Sequence, residues 1–446
     1  MSTQPQHTGN HHSPQGNRLD PWFDAYAERA HNLRASEIRA LFSVVSRPEV
    51  VSLAGGMPNL KDLPLDALAE SAKKLISTHG AQAMQYGSGQ GWLPIRERIT
   101  EVMSYDGIVG ADPDDVVITT GSQQALDLMT EIFVNPGDVI LGEAPSYVGA
   151  LGVFRARQAD VVHVPMDEHG IIPEGLEQTI REVRAAGKTI KLLYTIPNYH
   201  NPAGVTLSLE RRPQITEICM REHVLIMEDN PYGLLGFHED PLPALKSFSP
   251  EGVVYLGSFS KMFAPGFRIG WAYAPHAIRD KLILASESAI LSPSMVGQMA
   301  IADYLGSYDW YGQVKAFRSM YAERANAMLT ALADFMPDCS WTVPEGGFYT
   351  WVKLPEGLDA KAMLPRAVNA QVAYVSGTAF YYNGGGNDHM RLSFCYPTPE
   401  DIREGVRRLS TVVNAEKELV DMFGTGGLDR GLGSSGPGAA PAPNAL

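Results

Sequence analysis

Val253-Val254-Tyr255-Leu256-Gly257-Ser258-Phe259-Ser260-Lys261 is an apolar run of strand length that closes in small polar residues and a lysine. A lysine at the exit of a strand in a parallel α/β sheet points into the crevice where such sheets bind ligands. Whether the sheet is of that kind depends on what surrounds the run. Similar apolar runs lie at Val116 to Thr119, Val139 to Leu141, Val161 to Val164, Ile190 to Ile196, Val224 to Met227 and Ile269 to Tyr273. Most of them are separated by segments with helical spacing, such as Ala125, Met129, Ile132 and Phe133, or Ile215, Ile218 and Cys219. Short β-branched runs alternating with amphipathic helices predict an α/β fold, here with a mostly parallel seven-stranded sheet.

After about Trp310 the pattern changes. A long helical stretch, YGQVKAFRSMYAERANAMLTALADFM, is followed by the strand-like WTVPEGGFYTWVKL and a final helix near Asp401 to Val413. This predicts a small α+β domain over residues 311–422 beside a large domain over 66–310. Asp20 to Arg47 reads as one helix or two, within an N-terminal segment, 19–65, free to pack on the small domain. Residues 1–18 and 423–446 are rich in Gln, His, Asn, Pro, Gly and Ala with little to bury, which predicts disordered tails. Adjacent histidines in such a tail, His11 and His12, rarely hold a metal, and none is expected.

The chain of 446 residues, 44% hydrophobic and 19% charged, has the composition of a folded globular protein large enough for two domains. Its formal net charge of −14 argues against a general affinity for nucleic acid or anionic membrane. Cys219, Cys339 and Cys395 form neither a CxxC pair nor a disulfide framework. The first residues lack a secretory signal, and no later apolar run is long enough to cross a bilayer. Cytoplasmic residence is the resulting expectation.

Four further signals stand at predicted strand ends or in the small domain. Asp229-Asn230-Pro231-Tyr232 follows an apolar strand; a carboxylate there can keep a pyridine nitrogen protonated, or simply cap a turn. Gly121-Ser122-Gln123 opens a helix, where backbone N–H groups form an anion site or where Ser is merely an N-cap. Pro197-Asn198-Tyr199-His200-Asn201-Pro202-Ala203-Gly204 is a dense turn that can hold Asn201 over the crevice, or an ordinary turn. Arg391, inside the strand-like Met390 to Phe394, matches an amino-acid carboxylate, with a surface salt bridge as the plain alternative. Lys261 itself, taken alone, reads better as a surface lysine in a loop. Arg268 follows seven residues later and can bring positive charge to a phosphate.

Taken in order, SLAGGMPN, QYGSGQG, TTGSQQAL, NPGDVILGEAPSY, YTIPNYHNPAG, MEDNPYG, GSFSKMFAPGFRIGW, PEGGFYTWV and MRLSF resemble the fold-type I pyridoxal-phosphate aminotransferases, most of all the kynurenine/2-aminoadipate aminotransferase branch. The resemblance runs from about Ile38 to Val413. It implies pyridoxal 5′-phosphate held as a Schiff base on Lys261, which also shuttles the proton. It implies Asp229 on the pyridine nitrogen, Asn201 and Tyr232 on the 3-oxygen, and Tyr147 stacked on the ring. Ser122, Gln123, Ser258, Ser260 and Arg268 would form the phosphate cup. Gly56, Asn201 and Arg391 would line the substrate pocket, with Arg391 on the α-carboxylate. Tyr86 would cross to the partner's site in a homodimer. In this branch an N-terminal helix covers the substrate side chain, which makes Arg39, with Ile38, Leu41, Phe42 and Met57, candidates for selectivity. Arg39 reads equally as a solvated helix residue.

One departure is Ala203, where the family often has threonine. The residues before Asp20 are too few and too polar for a helix-turn-helix module, so the related transcription-regulator reading is not expected. The expected activity is transfer of an amino group from an L-amino acid to a 2-oxo acid, 2-oxoglutarate foremost, by a ping-pong cycle. Alternatives are another pyridoxal-phosphate outcome, β-lyase or decarboxylase, and a non-catalytic ligand-binding relative.

Overall fold

The computed structural model describes residues 20–31, 33, 47–61, 63–237 and 240–423. Seven strands form the central sheet: β1 (Val116–Thr119), β2 (Val139–Glu143), β3 (Asp160–Val164), β4 (Ile190–Thr195), β5 (Leu225–Asp229), β6 (Val253–Ser258) and β7 (Gly270–Tyr273). Their order is β1-β7-β6-β5-β4-β2-β3. Helices cover both faces, so β1, β2 and β6 are buried along their whole length and need the uninterrupted apolar runs seen in the sequence. All neighbours are parallel except β7, which runs antiparallel to both β1 and β6.

That reversal positions the site. Gly270, the first residue of β7, pairs with Thr119 at the end of β1 and with Ser258 at the end of β6. The residues just before β7, Arg268 among them, therefore meet the carboxyl ends of the parallel strands. Helix α1 (Ser122–Phe133) starts at the same edge, directly after β1. The strand order turns between β2 and β4, and ligands of open α/β sheets sit at such switch points.

The C-terminal part has a four-stranded antiparallel sheet, β8 (Ser340–Trp341), β9 (Tyr349–Lys353), β10 (Val375–Ser376) and β11 (His389–Ser393), in the order β8-β9-β11-β10. The predicted WTVPEGGFYTWVKL strand is thus two strands, parted by a turn in which Gly347 takes a φ of +69°. Helices α2 (Trp310–Phe335) and α3 (Pro399–Phe423) pack together over this region. The final helix is longer at both ends than the predicted Asp401 to Val413. Its buried stripe, Ile402, Val406, Leu409 and Val413, stops there, but the strong helix formers Glu416 to Leu419 carry it on along the surface.

Val51–Ser52 pairs parallel with Val372–Ala373, and Ser393 N–H donates to Leu53 O at 2.8 Å, so residues 51–53 are stitched to the C-terminal part. Of the predicted helix or helices at Asp20 to Arg47, the described residues show a 3₁₀ turn, Phe23–Ala25, and a four-residue helix, Glu28–His31. Ile38, Arg39, Leu41 and Phe42 lie outside the described residues. No helix among the described residues is long and apolar enough to cross a membrane.

Candidate active site

A cavity of about 470 Å³ opens at the carboxyl edge of the large sheet. Lys261 reaches it because Ser258 ends β6 and caps a single helical turn, Phe259–Met262, its Oγ accepting from Ser260 N–H at 3.1 Å. The Lys261 Nζ donates to Gly56 O at 2.8 Å. Burial holds its pKa below the ordinary amine value, and the Arg391 and Arg268 charges push the same way against an opposing effect of Cys395. An amine so placed is a nucleophile when neutral.

Asp229, the last residue of β5, is 2% exposed. Its Oδ2 accepts from the Tyr194 hydroxyl at 3.0 Å, while Oδ1 is buried with no partner among the described residues. Burial pushes its pKa up to about 7; the Tyr194 hydrogen bond opposes the rise and the Glu143 charge adds to it. A carboxylate oxygen left over in a dry site is matched by a cationic N–H donor.

On one side of the cavity the backbone makes an anion cup. Gly121 has a φ of +76°, and a Cβ there would run into the Arg268 guanidinium. Helix α1 begins at the next residue, which turns its free N–H groups to the cavity. Arg268, itself left-handed at φ 54°, donates through Nη2 to Thr120 O at 3.0 Å. The Ser258 hydroxyl donates to Ser260 Oγ at 2.9 Å, and Gln123 Nε2 to Gly149 O at 3.1 Å. Ser122, Gln123, Ser258, Ser260 and Arg268 all line the cavity.

Arg391 closes another side. It is 2% exposed, donates through Nη1 to Asn201 Oδ1 at 2.8 Å and through Nη2 to Ala54 O at 2.6 Å, and leaves Nε unpaired. The Tyr349 ring lies 4.1 Å from its Cζ. No carboxylate pairs with it among the described residues, so its charge is available to a ligand. The surface salt bridge considered from sequence is not what the structure shows. Tyr147, Asn201, Tyr232 and Gly56 also line the cavity. The phenols of Tyr147 and Tyr232 are raised by burial, Tyr147 to about 12, so both stay protonated donors.

A family model for aminotransferase class I and II matches residues 48–409. The chain belongs to the class I and II aminotransferases. It is 42% identical to aromatic-amino-acid aminotransferase 1 of Thermococcus litoralis, over 88% of this chain and 94% of that one. It is 36% identical to the 2-aminoadipate transaminase of Thermus thermophilus, over 90% and 99%. Among solved structures, an α-aminoadipate aminotransferase of Thermus thermophilus complexed with N-(5′-phosphopyridoxyl)-L-leucine superposes with a TM-score of 0.83 at 35% identity, covering 90% of this chain and all of that one.

Members of this family use pyridoxal 5′-phosphate, and the aminotransferase site fits it on its own chemistry. The orphaned Oδ1 of Asp229 suits a pyridinium N–H, the cup beside Gly121 suits a phosphate, and the enclosed Lys261 amine suits an aldehyde. One sequence candidate among the described residues, Tyr86, is not brought to the cavity. Tyr86 is 76% exposed on a surface shared with Met84 and Ser292, and Arg39 lies outside the described residues. Tyr349, Ile196, Pro231 and Pro265 line the cavity without having been singled out. Tyr349 sits in PEGGFYTWV, where only its place after the Gly346-Gly347 turn marks it out. Tyr194 and Glu143 were missed as well; each is a polar interruption at the end of an apolar run, VILGE and KLLYT.

Proposed function

We propose that this aminotransferase takes the amino group of a 2-aminoadipate, aromatic or branched-chain L-amino acid and passes it to 2-oxoglutarate, in two half-reactions at one site. The observation that carries the reading is the buried, unpaired Arg391 charge in the same cavity as the Lys261 amine. Pyridoxal phosphate, when bound, supplies an aldehyde to receive the amino group and a ring that accepts the electron pair of the Cα–H bond. Arg391 binds the α-carboxylate and orients the donor. Lys261 Nζ, its proton affinity lowered by burial, would move the proton between the donor's Cα and the cofactor's C4′. Asp229 keeps the pyridine nitrogen protonated. Ser122, Gln123, Ser258, Ser260 and Arg268 hold the phosphate, Asn201 and Tyr232 bond the 3-oxygen, Tyr147 stacks on the ring, and Gly56 shapes the substrate side.

The assembly in this reading is a homodimer in which Tyr86 enters the neighbouring site; its exposure away from its own cavity supports this. Three free, buried cysteines support residence in the reducing cytoplasm. The donor range draws on the relatives, named for aromatic amino acids and 2-aminoadipate, and on the leucine adduct in the solved structure. Since Arg391 treats every amino acid alike, selectivity falls to the segment around Arg39 and to Met57.

The test is a donor panel. The yellow holoenzyme should lose its visible absorbance on adding 2-aminoadipate, phenylalanine or leucine, and recover it with 2-oxoglutarate; no change with any of them defeats the reading. Arg39→Ala should lower kcat/KM for dicarboxylic donors by roughly the 1.5–3 kcal/mol of a charge-assisted hydrogen bond and leave leucine and phenylalanine nearly unchanged. An equal loss on all donors would assign Arg39 a general shaping role instead.

A further inference from the structure

The end of β2 carries a carboxylate that none of these roles uses. Glu143 is 1% exposed; its Oε1 accepts from the Thr195 hydroxyl at 2.8 Å and its Oε2 from Ile196 N–H at 2.9 Å. His200, equally buried, brings Nε2 to 3.0 Å from the same Oε2, at an angle too oblique for a linear hydrogen bond. Its other nitrogen, Nδ1, accepts from Ala203 N–H at 3.2 Å. An accepting Nδ1 leaves the ring hydrogen on Nε2, so a neutral imidazole turns its N–H side to the carboxylate.

The ring is therefore a strut between β2 and the turn at residues 200–205. That turn closes on His200 itself: its N–H donates to Val205 O at 2.8 Å and its carbonyl accepts from Gly204 N–H at 2.6 Å. Asn201 sits inside the turn, and its Oδ1 accepts from Arg391. Glu143 also meets the Thr195 hydroxyl and Ile196 N–H at the end of β4, so the carboxylate that faces the ring is tied to the strand leading into the turn.

We propose that Glu143 and His200 are a positioning pair that fixes the Asn201 turn from behind, and so sets the geometry with which Asn201 and Arg391 receive the substrate carboxylate. The inference rests on the assignment of Arg391 to that carboxylate. Glu143 also faces Asp229 electrostatically, its charge adding to burial in raising the proton affinity there.

The experiment titrates the holoenzyme with 4-methylpentanoate, which is leucine without its amino group, and follows the visible spectrum. His200→Gln can place an amide N–H where Nε2 was and should stay within about threefold of wild type in Kd. His200→Asn reaches only the Nδ1 position and should weaken the carboxylate about tenfold, raising the donor KM in step while kcat moves less than about threefold. The bound-cofactor absorbance should keep its intensity in both. Should His200→Asn not fold, Glu143→Gln, which keeps the size and one acceptor, reads the same change. Wild-type Kd in both His200→Asn and Glu143→Gln overturns the pair, as does a fall in kcat with Kd unchanged. If Arg391→Lys leaves the wild-type Kd unaltered, the carboxylate assignment fails and the inference falls with it.

Discussion

Asp229 has one oxygen on the Tyr194 hydroxyl and one, facing the cavity, with no partner among the described residues. In the cofactor-free protein its pKa, about 7, lies above that of an unfolded aspartate, roughly 3.9. The native state then holds a proton that the unfolded chain has released. Its contribution to stability is full below the unfolded value and is lost as pH rises through about 7. At about 1.4 kcal/mol per tenfold change in proton affinity, the loss by pH 8 is at most on the order of 4 kcal/mol. Asp229→Asn removes this titration. The variant apoprotein should melt above wild type at pH 8, by less than that limit because the asparagine NH2 that replaces the unpartnered oxygen has no acceptor among the described residues. The gap should close as pH falls toward 5. With pyridoxal phosphate the order should invert and transamination should fall by orders of magnitude, since the charge partner of the pyridinium is gone. Melting curves at the two pH values, with and without cofactor, decide it; a variant with normal turnover removes Asp229 from the reaction. The type of this residue and its place after a strand were legible in MEDNPYG. The orphaned oxygen was not, because it depends on Tyr194 arriving from the neighbouring strand.

At the scale of elements, the anion cup depends on β7 running against its neighbours. The connection from Ser258 to Gly270 is too short for the covering helix that a parallel crossover needs, so the chain turns straight back. Gly270 then lies so close to α1 that a Cβ would come within 2.7 Å of Gly121 C and 2.8 Å of Ser122 N. Gly270→Ala must part the strand from the helix start. It should cost about 1–3 kcal/mol of stability, as overpacked sites do, and should weaken pyridoxal phosphate binding because the Ser122 amide moves with the helix. Gly266→Ala, where a Cβ meets nothing within 4 Å, is the matched control and should change neither. Equal cofactor affinity in the two variants would show that the cup tolerates the shift. The strand runs themselves were readable, since burial on both faces demands continuous apolar sequence. Their order and the direction of β7 were not, since neighbours in the sheet such as β1 and β7 lie far apart in the chain.

At the scale of the molecule, Tyr86 shares its exposed region with Met84, while Leu284 and Leu291 are also more than half exposed. If Tyr86 completes the partner's site, two defective chains should repair one another. Lys261→Ala and Tyr86→Ala dimers should each be poorly active. Mixed after reversible dissociation, they should regain activity, because the hybrid has one site with an intact Lys261 and an intact Tyr86 from the other chain. No recovery in a mixture shown by mass to contain hybrids would place Tyr86 outside the shared site, and light scattering of an active monomer would do the same.

The sequence by itself determined the fold class and the chemical types at the strand exits. Strand length, helical spacing and turn residues are local properties, and the order of the motifs was specific enough to mark Lys261, Asp229, Asn201, Arg268 and Arg391. Only the tertiary structure decided which of their atoms are satisfied and which are left for a ligand. Arg391 comes from the four-stranded C-terminal sheet, Asn201 and Asp229 from adjacent strand exits, Gly56 from just beyond the residue 51–53 stitch, and Glu143 and His200 from behind the turn. Hydrogen-bond satisfaction and desolvation are set by atoms distant in the chain, so no local pattern encodes them.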